Sequence, residues 1–161
     1  MYKRQGFEKG ELLRFELDGR ECRIGAIAKG SGMINPNMAT MLCFITTDVA
    51  IEAELLQSAL KKVADDTFNM VSIDGDASTN DMACVLASGK AGNPLIDKQD
   101  NNYEIFINAL YVVLMNLSRE IAADGEGATK LLECHVTGAD DEQTAKKVAK
   151  SVITSSLFKS A

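Results

Sequence analysis

Residues 11–28 read ELLRFELDGRECRIGAIA and indicate how the fold begins. Two extended-looking runs, 11–17 and 21–28, flank the dipeptide Asp18-Gly19, which suits the positive φ angles of a tight hairpin turn. We therefore predict a β-hairpin, so that the sheet starts with an antiparallel pair of strands.

The segments that follow the hairpin mix loops, strands and a helix. A loop rich in Gly, Ser, Asn and Pro spans Lys29–Asn37, and the apolar run Met41–Ile45 predicts a buried strand. Apolar residues at helical spacing predict a helix over about 52–66. A short strand is expected at Met70–Ile73, and the type of the apolar run Met82–Ala87 stays open.

The C-terminal third adds the longest helix. Its apolar face predicts a helix over about Tyr103–Ala122 that stops before Gly125. Alternating residues predict a strand over 130–137, and a last helix is expected from about Asp141. Because strands and helices interleave without strict alternation, we predict an α+β fold, with helices layered on a mixed or antiparallel sheet in one structural unit.

The composition excludes several classes of protein. The chain has 161 residues, 46% of them hydrophobic, with 17 Lys and Arg against 23 Asp and Glu for a net charge of −6. That length allows one domain and excludes a large multidomain enzyme. The acidic balance argues against a nucleic-acid partner. No apolar run is expected to span a membrane and residues 1–10 lack a signal-peptide core, so a cytoplasmic location is expected.

The cysteines and the single histidine favour neither a metal site nor a redox site. Cys22, Cys43, Cys84 and Cys134 are too far apart in sequence for a zinc knuckle or a C-x-x-C pair, so reduced, buried thiols are expected. His135 is placed on the polar face of a strand. We predict no metal ion.

Three motifs fail on inspection. Gly30-Ser31-Gly32 opens like a dinucleotide-binding turn, but Asn35 stands where the third glycine is needed. The acidic segment at Asp74 lacks the glycine and the bidentate Glu of a calcium loop. The segment 124–130 lacks the glycine spacing of a phosphate-binding loop. From pattern alone, each of the three is interpreted as a turn.

The loop AKGSGMINPNMATM, residues 28–41, places Thr40 at the start of the predicted buried strand. A hydroxyl held there can attack a carbonyl if a base takes its proton. Attack on the Ala39 carbonyl would give an ester, whose hydrolysis would leave Thr40 as a new N-terminus with an α-amine of pKa about 7.7–8.0. A purely structural role as a strand-opening residue is the alternative.

Four blocks together identify a family resemblance. They are AKGSGMINPNMATML (28–42), FITTD (44–48), FNMVSIDGDASTND (68–81) and DGEGATK (124–130). In this order they resemble the ornithine acetyltransferase family, the bifunctional glutamate N-acetyltransferases of arginine biosynthesis, over about residues 25–161. The resemblance implies the fold of self-processing threonine-nucleophile enzymes, which include the aminopeptidase DmpA.

The resemblance also implies a reaction and its residues. The chain is expected to cleave itself between Ala39 and Thr40, into the end of an alpha chain (1–39) and the start of a beta chain (40–161). Thr40 would then take acetyl from N-acetylornithine and pass it to glutamate. Lys29 and Glu126 would bind substrate, Glu126 at its α-amino end, with an ordinary surface ion pair as their alternative role. Asp74, Asp76 and Asn80 are expected to shape the turn beneath the site.

The resemblance implies no bound cofactor, leaves acetyl-CoA open as a co-substrate, and implies an alpha/beta heterotetramer. Family members are more than twice as long as this chain, with a Thr-Gly oxyanion hole upstream and further substrate-binding groups at the extreme C-terminus. We therefore expect a central fragment that exposes apolar faces. Two alternatives remain: a threonine-nucleophile amidase or peptidase, and an inactive remnant that binds an amino acid or a partner chain.

Overall fold

The computed structural model of the chain describes residues 8–32, 34, 41–75 and 81–160. Within this part, one mixed sheet has the strand order β1-β2-β3-β4. The pairs β1/β2 and β2/β3 are antiparallel, and β3/β4 is parallel. The predicted α+β class with a mixed sheet is confirmed. The strands are β1 (Lys9–Leu17), β2 (Arg20–Lys29), β3 (Leu42–Thr47) and β4 (Met82–Ala87).

The predicted hairpin is confirmed. Its turn contains Asp18 at φ 48° and Gly19 at φ 74°, the left-handed conformations that a two-residue hairpin loop needs. The sequence left the type of the apolar run Met82–Ala87 undecided. It is a strand, because its backbone pairs with β3 along the whole element.

The helices of the described residues are α1 (Ala53–Asp66), α2 (Asn101–Ala123), α3 (Glu142–Ile153) and α4 (Ser156–Ser160), with a 3₁₀ turn at Phe68–Met70. Helix α2 packs on β1 and β2, and α1 contacts β4. The crossover between the parallel strands β3 and β4 contains α1, as a parallel connection requires. The carboxylate of Asp100 caps α2 by accepting from the N–H groups of Asn102 and Tyr103, so this helix begins two residues before its predicted start.

The core lies between the sheet and α2, which packs on β1, β2 and α1. Alternate strand residues point into it and meet fully buried side chains of α2. The opposite face of the sheet is uncovered: Leu12 is 66% exposed, Ile27 63% and Leu86 62%. The expected exposed apolar surface is therefore present. The core includes Leu17, Cys22, Ile24, Cys43 and Ile45 of the sheet and Phe106, Leu110, Leu114 and Leu117 of α2.

Two predicted strands are wrong. Residues 68–70 form the 3₁₀ turn, and Ile73 makes one backbone bond, to the Ile34 carbonyl, without a ladder. Residues 130–137 alternate as a strand does, yet in the described part of the chain no strand pairs with them. Alternation records which side chains face inward, whereas a strand also needs a neighbour to take its backbone hydrogen bonds.

The expectation that no apolar run could span a membrane also needs correction. Helix α2, with 23 residues, is long and apolar enough to do so by length and composition alone. Its apolar stripe is buried against β1 and β2 here, and a core helix passes the same test.

Candidate active site

The loop predicted to hold the nucleophile begins and ends on paired strands. Ala39 and Thr40 lie outside the described residues, whereas Lys29 and Met41 flank them on either side. Lys29, the last residue of β2, pairs with Leu42, the first residue of β3. Directly paired Cα atoms of antiparallel strands are about 4.5–5.5 Å apart. Lys29 is thus held beside the strand end that Thr40 precedes.

Three segments far apart in sequence meet at the first half of this loop. The N–H of Glu126 donates to the Ser31 carbonyl over 2.7 Å, and the N–H of Ile73 donates to the Ile34 carbonyl over 2.8 Å. A Cβ atom built on Gly32 would lie 3.0 Å from Glu126 Oε2 and 3.6 Å from Asp74 Oδ2. Two carboxylates therefore face the backbone of the loop, and a side chain at position 32 would displace the Glu126 carboxylate.

The two predicted substrate-binding charges remain available to a ligand. Lys29 and Glu126 are exposed, and neither takes part in an ion pair between described residues. The alternative of an ordinary ion pair between them is therefore absent in the described chain. One cation and one anion at the same loop are what a zwitterionic amino acid requires.

A buried ion pair fixes the turn that presents Glu126. The ammonium of Lys9, in β1, lies 2.5 Å from Asp124 Oδ2 at the C-cap of α2. Their side chains are 2% and 13% exposed. Sequence reasoning missed Lys9, because nothing in the local pattern links two residues 115 positions apart.

The segment Ser72–Ile73, which also binds the loop, is held by the C-terminal helix α4. Lys159 in α4 donates to the carbonyl oxygens of Ser72 and Ile73, at 2.8 Å and 3.1 Å. Burial lowers the pKa of this ammonium. Of the three turn residues predicted at the site floor, Asp74 is exposed and its carboxylate faces Gly32. Asp76 and Asn80 lie outside the described residues.

Asp81 is a site residue that sequence reasoning did not single out. Its Oδ1 accepts a hydrogen bond from the Met41 N–H over 2.6 Å, and the Met82 N–H donates to the Met41 carbonyl over 2.9 Å. Burial raises the pKa of the Asp81 carboxyl, and the bond from Met41 opposes that rise. The only sequence signal was its position as the last residue of the segment FNMVSIDGDASTND (68–81).

No metal centre is present among the described residues, since no three His, Cys, Asp or Glu side chains converge there. Cys22 and Cys43 are buried free thiols. His135 is exposed, with Nε2 4.0 Å from Glu133 Oε2.

Comparison with known proteins identifies a family for this chain. Residues 5–161 match the ArgJ family. The chain belongs to the ArgJ family. The arginine biosynthesis bifunctional protein ArgJ 1 of Clostridium acetobutylicum is 54% identical over 154 residues, which are 96% of this chain and 38% of that protein. The ArgJ protein of Symbiobacterium thermophilum is 53% identical over 155 residues, 96% of this chain and 39% of that protein. The chain thus spans less than two fifths of these ArgJ relatives.

A solved ArgJ structure has the same fold. The crystal structure of the arginine biosynthesis bifunctional protein from Bacillus halodurans superimposes with a TM-score of 0.68 at 45% identity. The superimposed part is 71% of this chain and 54% of the Bacillus halodurans chain. The resemblance drawn from the four sequence blocks is confirmed, because the family match contains all four.

Proposed function

We propose that this chain carries the nucleophile and two substrate contacts of an ornithine acetyltransferase, which moves acetyl from N2-acetylornithine to glutamate in arginine biosynthesis. One observation carries the proposal. The Glu126 turn and the Ile73 segment both bind the backbone of the loop that leads to Thr40. These contacts support a role for Glu126, and for Lys29 at the end of β2, as substrate-binding charges on the loop that leads to the proposed nucleophile.

Self-cleavage is the proposed first step. The Thr40 hydroxyl attacks the Ala39 carbonyl, the C–N bond breaks, and the hydroxyl proton ends on the Thr40 nitrogen. Water then hydrolyses the ester to release the Ala39 carboxylate and restore the hydroxyl. The products are residues 1–39 and 40–161, and the new α-amine can act as the base for later steps.

Acetyl transfer then uses the same hydroxyl twice. Thr40 Oγ attacks the acetyl carbonyl of N2-acetylornithine, its proton passes through the α-amine to the departing ornithine nitrogen, and acetyl-threonine forms. The α-amine of glutamate next attacks this ester and returns a proton to Thr40. Lys29 supplies the cation for a substrate carboxylate and Glu126 the anion for an ammonium group.

The proposal extends to the whole protein. The oxyanion hole implied by the resemblance belongs to an upstream segment, and loss of one oxyanion donor costs roughly 10²–10³ in kcat. The working assembly is proposed to be a cytoplasmic alpha/beta heterotetramer. It needs no bound cofactor, and acetyl-CoA is a further acetyl donor to be tested.

Intact-mass measurement of the purified chain tests the first step. We expect two products that begin at Met1 and Thr40, and an intact chain for Thr40→Ala. Incubation with N-acetylornithine should then add one acetyl group to the peptide that begins with Thr40, and glutamate should remove it. A chain that stays whole at Ala39-Thr40 would count against the proposal. Glutamate-independent release of acetate would favour the amidase, and no turnover beyond that of Thr40→Ala would favour the remnant.

Charge removal tests the substrate contacts. Lys29→Met and Glu126→Gln should each weaken binding of N-acetylornithine or glutamate by about tenfold or more, as loss of a charged hydrogen-bond partner typically does. Lys98→Met and Glu104→Gln are matched controls, because both residues are exposed and lie outside the loop cluster. Equal affinities for test and control variants would remove Lys29 and Glu126 from the site.

A further inference from the structure

Lys159, in α4, is bound to the segment that supports the candidate site. Its ammonium donates to the carbonyl oxygens of Ser72 and Ile73, over 2.8 Å and 3.1 Å. Burial lowers the pKa of Lys159, and the nearby Asp74 carboxylate opposes this change. Because Lys159 is 86 positions from Ile73, the contact joins the last helix to a segment that is remote in sequence.

Ile73 in turn contacts both parts of the site. Its N–H donates to the Ile34 carbonyl in the loop over 2.8 Å. Its Cγ2 lies 3.1 Å from the position of a Cβ atom built on Gly125, so its side chain packs closely on the residue before Glu126. Since close-packed groups transmit displacements, a shift of Ile73 would change how the Glu126 carboxylate faces Gly32.

We propose that Lys159 is a positioning residue for substrate binding, which holds Ile73 so that the Glu126 carboxylate stays beside Gly32. This inference rests on the proposed function, in which Glu126 binds the ammonium group of the substrate. Lys159 acts through two backbone carbonyl groups and needs no contact with the ligand. A charged donor suits this role, because its hydrogen bonds are stronger than those of a neutral one.

A purely structural role for Lys159 predicts a different result. Helix α4 is largely exposed, with Leu157 at 84% and Phe158 at 54% exposure. If Lys159 only anchors this helix, its removal should loosen α4 and change neither the affinity for substrate nor the exchange of the Ile73 amide. If Lys159 positions Ile73, both should change while the core keeps its stability.

Lys146, in α3, provides the matched control. Its ammonium is bonded to the carboxylate of Asp66 at the end of α1 and to Glu142 at 2.7 Å. Lys146→Met therefore also removes a lysine that joins the C-terminal helices to the rest of the chain, at a different place. Lys159→Arg is the conservative variant, because it keeps a cation with several N–H donors.

The experiment measures binding of glutamate and of N-acetylornithine to the full chain by calorimetry, and exchange of the Ile73 and Glu126 amides by NMR. Amide exchange within α2 reports whether each variant keeps the fold. We expect Lys159→Met to bind about fivefold or more weakly, with faster exchange of both amides. Lys159→Arg and Lys146→Met should stay within about twofold of wild type in affinity.

Three results would overturn the inference, and they are distinguishable. If wild type binds and Lys159→Met binds equally well, the role of Lys159 is wrong while the proposed function stands. If Lys159→Met and Lys146→Met weaken binding equally, general loosening of the C-terminal helices explains both effects. If wild type binds neither compound, the proposed function is wrong and the role of Lys159 in binding falls with it.

Discussion

The backbone N–H of Glu126 is hydrogen-bonded to the carbonyl oxygen of Ser31 over 2.7 Å. This bond joins the turn after α2 to the loop after β2, which are remote in sequence. Since a backbone bond fixes the position of the turn, the exposed Glu126 carboxylate is held at the loop, where it faces Gly32.

Gly32→Ala should weaken substrate binding more than it lowers stability. The new Cβ would lie 3.0 Å from Glu126 Oε2, so the carboxylate, which is on an exposed side chain, must move aside. We expect binding of glutamate or N-acetylornithine to weaken several-fold by calorimetry, with little change in melting temperature. The control is Gly10→Ala, whose Cβ would meet Ile27 at an ordinary 3.7 Å. Unchanged binding in Gly32→Ala would contradict the placement of Glu126.

Lys9→Met should destabilise the chain strongly. It would remove the buried ammonium that contacts the Asp124 carboxylate, and removal of one member of a buried pair typically costs about 3–5 kcal/mol. Urea denaturation measures this loss. Arg14→Met removes a partner from the exposed Arg14–Glu21 pair at 3.8 Å and should cost less than about 1 kcal/mol. Similar losses in the two variants would show that the Lys9 pair contributes no more than a surface pair.

The buried stripe of α2 should dominate the stability of the fold. Leu114 of α2 is fully buried in the core, at 0% exposure. Leu114→Ala should therefore lower the free energy of unfolding by about 2–5 kcal/mol, through lost burial and a cavity. Val112 on the same helix is 44% exposed, and Val112→Ala should stay within about 0.5 kcal/mol of wild type. Thermal or urea unfolding decides the matter, and equal effects would contradict the packing of α2 on the sheet.

Cys43 should resist alkylation in the folded chain. It is 0% exposed, and burial raises the pKa of its thiol to about 12, so roughly 10⁻⁴ of it is thiolate at pH 8. The half-buried Cys134 should react with iodoacetamide first, and Cys43 only on unfolding, as peptide mass mapping would show. Rapid labelling of Cys43 under native conditions would contradict its burial.

The raised pKa of the Cys43 thiol also predicts how the free energy of unfolding depends on pH. The unfolded Cys43 thiol has its ordinary pKa of 9.0, and the folded one ionises near 12. Because the folded state keeps the proton longer, this contribution is complete below pH 9 and is lost as pH rises from 9 towards 12. Urea denaturation as a function of pH should show this fall, and Cys43→Ala should reduce it. If the free energy of unfolding falls equally steeply with pH in Cys43→Ala, groups other than Cys43 cause the fall.

The local elements of the fold were predictable, whereas their partners were not. The Asp18-Gly19 turn and the helical spacing in α1 and α2 are local signals, and all three elements are confirmed. The strand predicted at 130–137 is wrong because alternation cannot show whether a neighbouring strand exists. The prediction for 70–73 is wrong for the same reason.

For the site, the sequence by itself determined the chemical groups and their order. Four motif blocks identified the family, and the resemblance predicts the cleavage point at Ala39-Thr40 and the substrate contacts at Lys29 and Glu126. The blocks are recognised within short segments, which needs no knowledge of the fold.

Only the tertiary structure decided which groups meet. It brings the Glu126 turn to Ser31, pairs Lys9 with Asp124, and places the buried Asp81 carboxylate on Met41. Each of these contacts joins residues at least 40 positions apart. Sheet pairing and core packing bring such residues together, and no local sequence pattern records those long-range constraints.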